Sequence, residues 1–145
     1  MTENEINLAV REWLLQEGYS YKGVCNAEPG LGLKQKDVGY GQVPIPLPSG
    51  ERLVLIDHQG VKDRPVDLIW VEAKGSDAGV SQLLEGFIRT TCACYFGAGR
   101  GLLAVPTAEC EKMLELQDFL KRVAVSCERR MGILDAEKGK VYWLL

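Results

Sequence analysis

Histidine is almost absent: His58 is the only one in 145 residues. A histidine-rich metal site is therefore excluded, and a Ser-His-Asp triad would have to use His58 itself. Its surroundings, 58–64 with Gly60 among them, read as a turn. Cysteine forms no metal-binding pattern either. Cys25, Cys92, Cys94, Cys110 and Cys127 are odd in number and lack zinc-type pairing. Cys92 and Cys94 stand two apart in a segment read as helix, so they point away from each other. The expectation is free, buried thiols in a reducing cytoplasm. No apolar run approaches the roughly 20 residues needed to span a bilayer. The start, MTENEINLAV, lacks a basic segment followed by a long apolar one, so it does not read as a secretory signal. A basic excess is missing too. Lys and Arg total 17 against 20 Asp and Glu, for a net charge of −3. Binding of nucleic acid through the whole surface is thereby disfavoured; it would need a local basic patch, or metal ions that neutralise acidic groups.

What is present is an ordinary globular composition, 46% hydrophobic and 26% charged, in a chain long enough for one domain over residues 1–145 with its own core. Ile6, Ala9, Val10, Trp13 and Leu14 recur at helical spacing and predict a helix over 3–17, stopped by Gly18. Tyr19 to Cys25 reads as a strand. The stretch 28–51 is rich in Gly and Pro, and VPIPLP within it suits an extended or edge path. Such a long connection is often functional. Lys34 and Lys36 could touch phosphates there, or the stretch is a decorated hairpin or an oligomer contact. Arg52–Asp57 is expected as a strand, 58–64 as a turn, and Leu68–Ala73 as the returning strand of a hairpin. A helix over 80–96, a strand over 102–105 and a helical pattern over 107–129 with a break near Leu114 follow. Thr107 is placed to cap that pattern. The end reads as a hairpin, 132–135 and 141–144. Strand, helix, strand across 68–105 predicts a right-handed crossover with parallel strands. The whole is an α/β domain with a central mixed sheet flanked by helices.

The returning strand ends in Glu72-Ala73-Lys74-Gly75. Alternate residues of a strand share a face, so Glu72 and Lys74 stand together with Ala73 opposite. An acid and a base where an apolar strand runs out is costly in a core and common in an active site. The plainer alternative is an exposed, salt-bridged strand end. Asp57 stands before this strand and Gln82 after it, in the next helix.

With those residues assembled, the chain resembles the PD-(D/E)xK nuclease superfamily, the restriction-endonuclease-like and Holliday-junction-resolvase-like fold. The resemblance rests on Asp57, Glu72-Ala73-Lys74 and Gln82, within the order of elements across residues 1–106. It implies a restriction-endonuclease-like core and a Mg²⁺-dependent deoxyribonuclease, with Mn²⁺ as a substitute and DNA as partner. It implies Asp57 and Glu72 as metal ligands, helped by the Ala73 carbonyl. Lys74 would be the catalytic lysine, Gln82 a residue reaching back from its helix, and Glu5 the first-helix glutamate that points to the metal. Many members cut as dimers, so a homodimer is expected. The chemistry is coherent: carboxylates hold a hard cation, and a lysine beside them orients or deprotonates water. Two features depart from the pattern. Ile56, not proline, precedes Asp57, and Asp67 sits in PVD, which looks more like the motif. On a straight strand Asp67 faces away from Glu72 and lies about 17 Å from it; a bulge would reverse the choice. The rival functions are a nuclease-like fold without cleavage, serving as a DNA- or protein-binding module, and an enzyme of another class led by Cys92 or His58.

Overall fold

The computed structural model describes residues 1–25 and 41–144. Lys34 and Lys36 lie outside the described residues. Helix α1 (Glu3–Gln16) starts where the Thr2 hydroxyl accepts the Glu5 N–H at 3.2 Å. It ends as Gly18 turns the chain with φ +88°. The strands that follow are β1 (Ser20–Gly23), β2 (Val43–Pro46), β3 (Arg52–Ile56), β4 (His58–Asp63) and β5 (Val66–Ala73). Then come α2 (Val80–Gly97), β6 (Arg100–Val105), α3 (Thr107–Glu115), α4 (Gln117–Cys127), β7 (Met131–Asp135) and β8 (Lys140–Trp143).

The six-stranded sheet has the order β1-β4-β5-β6-β7-β8. Strands β5, β6 and β7 run parallel and the outer pairings are antiparallel, so the sheet is mixed. The crossover from β5 through α2 to β6 joins parallel strands, as the sequence predicts. Period-two alternation divides the core. Ile69, Val71, Ala73, Leu102 and Ala104 face α1 and pack on Ile6, Val10 and Leu14. Leu103 and Val105 face the other way, onto Leu83, Phe87, Met113 and Leu120 of α2, α3 and α4. This is the expected α/β architecture with helices on both faces of a mixed sheet.

Three local expectations fail. Residues 58–63 are a strand, not a turn. Strand β4 pairs with β5, so the hairpin is β4–β5, closed at Arg64-Pro65 by a cis peptide bond. Strand β3 belongs instead to a separate two-stranded ribbon with β2. The ribbon's Val43, Ile45 and Ile56 pack on Trp70 and Ala93. Asp57 alone separates β3 from β4, and the chain changes sheet there. The Thr107 hydroxyl does not cap α3; it donates to Asp135, and Pro106 holds the cap position. The helical break falls at Leu116, two residues beyond Leu114. The cysteines are free, with Cys94, Cys110 and Cys127 buried. Among the described residues no helix is long and apolar enough to cross a membrane.

Candidate active site

The C-terminal end of β5 carries the site. Trp70 and the Lys74 stem lie on the α2 side of the sheet, and Val71 and Ala73 on the α1 side. Glu72 therefore shares the α2 side with Lys74, as the alternation requires. Strand β4 pairs His58 with Val71, and Asp57 precedes it. Asp57 thus reaches the end of β5 from the neighbouring strand, where its Oδ2 accepts the Ala73 N–H at 3.0 Å. Its Oδ1 accepts the side-chain amide of Gln42 at 2.8 Å. Its backbone carbonyl accepts the Val24 N–H at 3.0 Å.

The salt-bridged strand end is not what forms. Glu72 is only 3% exposed and Asp57 7%, so this is a buried carboxylate pair. Glu72 Oε2 is buried with no hydrogen-bond partner among the described residues. Burial pushes the Glu72 carboxyl well above its ordinary range, and the charge of Asp57 and a hydrogen bond to it add to the rise. Arg89 and Lys74 pull the other way and do not win. Two acids in contact cannot both ionise cheaply in a dry site.

Lys74 makes no ion pair with Glu72; the ion pairs among the described residues are Arg89–Glu85 at 3.6 Å and Arg100–Asp67 at 2.7 Å. The Lys74 stem crosses α2 at Gly86, where an added Cβ would lie 3.2 Å from Lys74 Cε and 3.0 Å from Leu103 Cδ1. Lys74 then opens into a cleft of about 720 Å³. Glu3, Glu5, Gly75, Asp77, Gln82 and Glu85 line it with Lys74. Glu5 and Gln82 therefore stand on the cleft wall, both exposed. Neither bonds to Asp57, Glu72 or Lys74 among the described residues.

Asp67 lies at the other end of β5. It pairs with Lys62 across the ladder, accepts two guanidinium bonds from Arg100 at 3.1 and 2.7 Å, and accepts the Tyr19 hydroxyl. Burial would raise its pKa, but those bonds hold it below the ordinary value. No bulge interrupts β5 against β4, so the acid that reaches Glu72 is Asp57.

Three residues outside the motif belong to this neighbourhood. Glu3 is the first-helix acid whose carboxyl senses the site. It is raised by desolvation and by Asp57, and lowered by Lys74. Its spacing was a usable signal, since Glu3, Ile6 and Val10 fall on one helical stripe. The Gly75 Cα comes so close to α1 that a Cβ would sit 2.6 Å from the Glu3 nitrogen. Arg89 stands seven residues past Gln82, on the same side of α2, and its charge reaches Glu72. Gln42 comes from the Gly/Pro-rich stretch, and no sequence signal pairs it with Asp57.

Behind Asp57 lies a buried polar chain. His58 is fully buried, which corrects its reading as a turn residue. Its Nε2–H donates to Asn7 Oδ1 at 2.7 Å, and its Nδ1 accepts the Tyr21 hydroxyl at 2.7 Å. Tyr21 in turn accepts the Cys25 N–H at 3.0 Å. Burial holds His58 down at about 4 and therefore neutral, with Asp57 opposing that shift.

The donor chemistry suits a hard divalent cation. Among the described residues no three His, Cys, Asp or Glu side chains are gathered as a ready metal cage. Asp57 and Glu72 offer two carboxylates and one orphaned oxygen, two residues before the Lys74 that lines the cleft. That fits Mg²⁺, which binds through one or two carboxylates and keeps several waters.

No protein-family model matches the chain. No curated protein matches it in sequence. Two solved structures are similar in fold. One is an XisH family protein from Nostoc punctiforme PCC 73102, with a TM-score of 0.54 at 18% identity, covering 96% of this chain and 98% of that one. The other is a fdxN element excision controlling factor protein from Anabaena variabilis, with a TM-score of 0.55 at 18% identity, covering 98% and 99%. At that identity the likeness is one of fold, and it extends over nearly the whole of each chain.

Proposed function

We propose that this chain is a Mg²⁺-dependent DNA endonuclease, with Mn²⁺ able to replace Mg²⁺. The observation that carries the reading is the buried Asp57–Glu72 pair with its orphaned Glu72 oxygen, two residues before Lys74, which lines the cleft. A cation bound there supplies an acidified water and neutralises charge building on the phosphate. Asp57 and Glu72 would hold it, and its charge would offset the burial and the Asp57 repulsion that raise the Glu72 carboxyl. The Lys74 ammonium holds the attacking water by hydrogen bond and stabilises the charged phosphorane-like transition state. Gln82 of α2 and Glu5 of α1 line the space that the DNA backbone would enter. The restriction-endonuclease-like assignment of the core belongs to this same reading. The excision-controlling name of one structural neighbour fits a role in recombination. Cutting both strands would use two copies of the chain, and the free thiols suit the cytoplasm.

A second reading, a DNA- or protein-binding module without cleavage, draws on the acidic cleft wall of Glu3, Glu5, Asp77 and Glu85. One assay separates the two. The protein is incubated with supercoiled, linear and branched DNA and Mg²⁺ or Mn²⁺, beside Lys74→Ala. Cleavage by the parent and none by the variant is expected. Equal background in both would sink the nuclease, and tight metal-independent binding without cleavage would favour the module.

A further inference from the structure

The geometry points to Gln42 as a positioning residue that sets Asp57 for cation binding; this assignment rests on the metal-site reading above. Strand β2 pairs Val43 with Ile56, so one step outward along the same ladder Gln42 stands opposite Asp57. The ribbon is fixed to the body by Val43, Ile45 and Ile56 against Trp70 and Ala93. Gly41 makes the approach possible. It has φ +72°, and an added Cβ would lie 3.0 Å from both the Gly23 carbonyl oxygen and Val24 Cα. A side chain there would press on the segment whose Val24 N–H holds the Asp57 carbonyl.

Gln42 and Ala73 grip opposite oxygens of Asp57, at 2.8 and 3.0 Å. A carboxylate held at both oxygens by single donors cannot rotate, yet each oxygen keeps acceptor capacity for a cation. With Gln42 gone, Oδ1 loses its donor, and the Ala73 bond on Oδ2 and the contact with Glu72 are left to fix the side chain. Oδ1 would then be free to turn from the position it holds. Partners of this kind orient metal ligands, and their loss typically weakens binding about 10–100-fold.

The test uses the full chain with Gln42→Met, which keeps the volume and removes the donor, and Gln42→Ala. Mn²⁺ affinity is measured by titration calorimetry, thermal unfolding in EDTA, and DNA cleavage as separate kcat and KM. The expected result is an Mn²⁺ Kd raised about 10-fold or more, a lowered kcat at fixed metal, an unchanged KM for DNA and a melting temperature in EDTA lowered only by the few degrees that one hydrogen bond is worth, with the protein folded throughout the titration. An Mn²⁺ Kd equal to the parent's in both variants overturns the assignment. So does a loss of affinity that only tracks a fall in melting temperature. If the parent binds Mn²⁺ and the variants bind it weakly, yet the parent does not cut DNA, the nuclease fails and Gln42 stands. If the parent binds no Mn²⁺, both fail.

Discussion

Replacing Glu72 by Gln should make the metal-free protein more stable while destroying its affinity for metal. In the parent, Glu72 is raised well above its ordinary 4.5 by burial and by Asp57. The sign follows from linkage. A carboxyl raised by folding is tolerated while protonated, so no penalty exists below the unfolded pKa. The penalty grows as pH rises through the folded value. Gln is isosteric and neutral, and its amide can donate to Asp57 where two acids now repel. Replacing a buried acid by an amide that donates to the charged Asp57 is worth about 1–3 kcal/mol. At roughly 2–4 °C per kcal/mol for a domain of this size, the melting temperature should rise by roughly 2–12 °C. Thermal unfolding in EDTA, read from about pH 4 to about pH 8, should show parent and variant converging at the acid end and separating as pH rises. Added Mg²⁺ or Mn²⁺ should stabilise the parent and leave Glu72→Gln unmoved. A variant no more stable than the parent near neutral pH would refute the reasoning, because Glu72 would then have a partner or solvent that the geometry denies it.

Two further predictions follow from the ends of β5 and from α2. Asp67→Asn should cost about 1–2 kcal/mol through its weakened bonds to Arg100 and Tyr19, yet leave Mn²⁺ affinity and cleavage intact, while Asp57→Asn should abolish both. Titration calorimetry and plasmid nicking on the pair check this, and the reverse outcome would transfer the metal to Asp67. Gly86→Ala gains up to about 1 kcal/mol of helix propensity but presses on Leu103 and the Lys74 stem at 3.0 and 3.2 Å. Its melting temperature should stay close to the parent's. Cleavage should fall by about 10²-fold, the cost of misplacing a reacting group by an ångström or so. Parental activity would show that Lys74 reaches the site without this groove.

The layers and their order were legible because they rest on strong periodicities. Ile6, Val10 and Leu14 mark α1, and the apolar runs of β5 and β6 mark buried parallel strands. Strand β4 was illegible for a specific reason. Its inward residues are His58 and Gly60, neither of which scores as apolar. Gly60 is there because a Cβ would lie 2.8 Å from Ile69 and 2.9 Å from Leu14 and Tyr19, so a packing constraint wears the appearance of a turn. That one element redirected the hairpin and left β3 to the ribbon. Within the site, Asp57, Glu72 and Lys74 could be found because strand alternation and motif spacing are local. Glu3 needed the helical stripe to be followed back to the first turn. Gln42 depends on a ribbon register and a close approach at Gly41, which no local pattern encodes.

Asp57 reaches Glu72 although the hairpin expected to bring it there does not exist. The site is built at a joint. Asp57 is the single residue between the ribbon strand β3 and the sheet strand β4, so its position is set by two ladders at once. Ribbon pairing places Gln42 on one oxygen, and the end of β5 places the Ala73 N–H on the other. The same joint explains why the repulsion with Glu72 persists. An acid on one continuous strand could swing away from its neighbour, but one anchored through both oxygens and its carbonyl cannot. Holding two carboxylates together at the edge of a dry core costs folding free energy in the metal-free protein. A cation held by Asp57 and Glu72, as proposed, would turn that cost into affinity, because the folded state offers a preformed anionic site that the unfolded chain lacks. The cost, the anchoring and the cleft beyond Lys74 would share one explanation under the proposed cation site. A salt-bridged strand end would need none of the three.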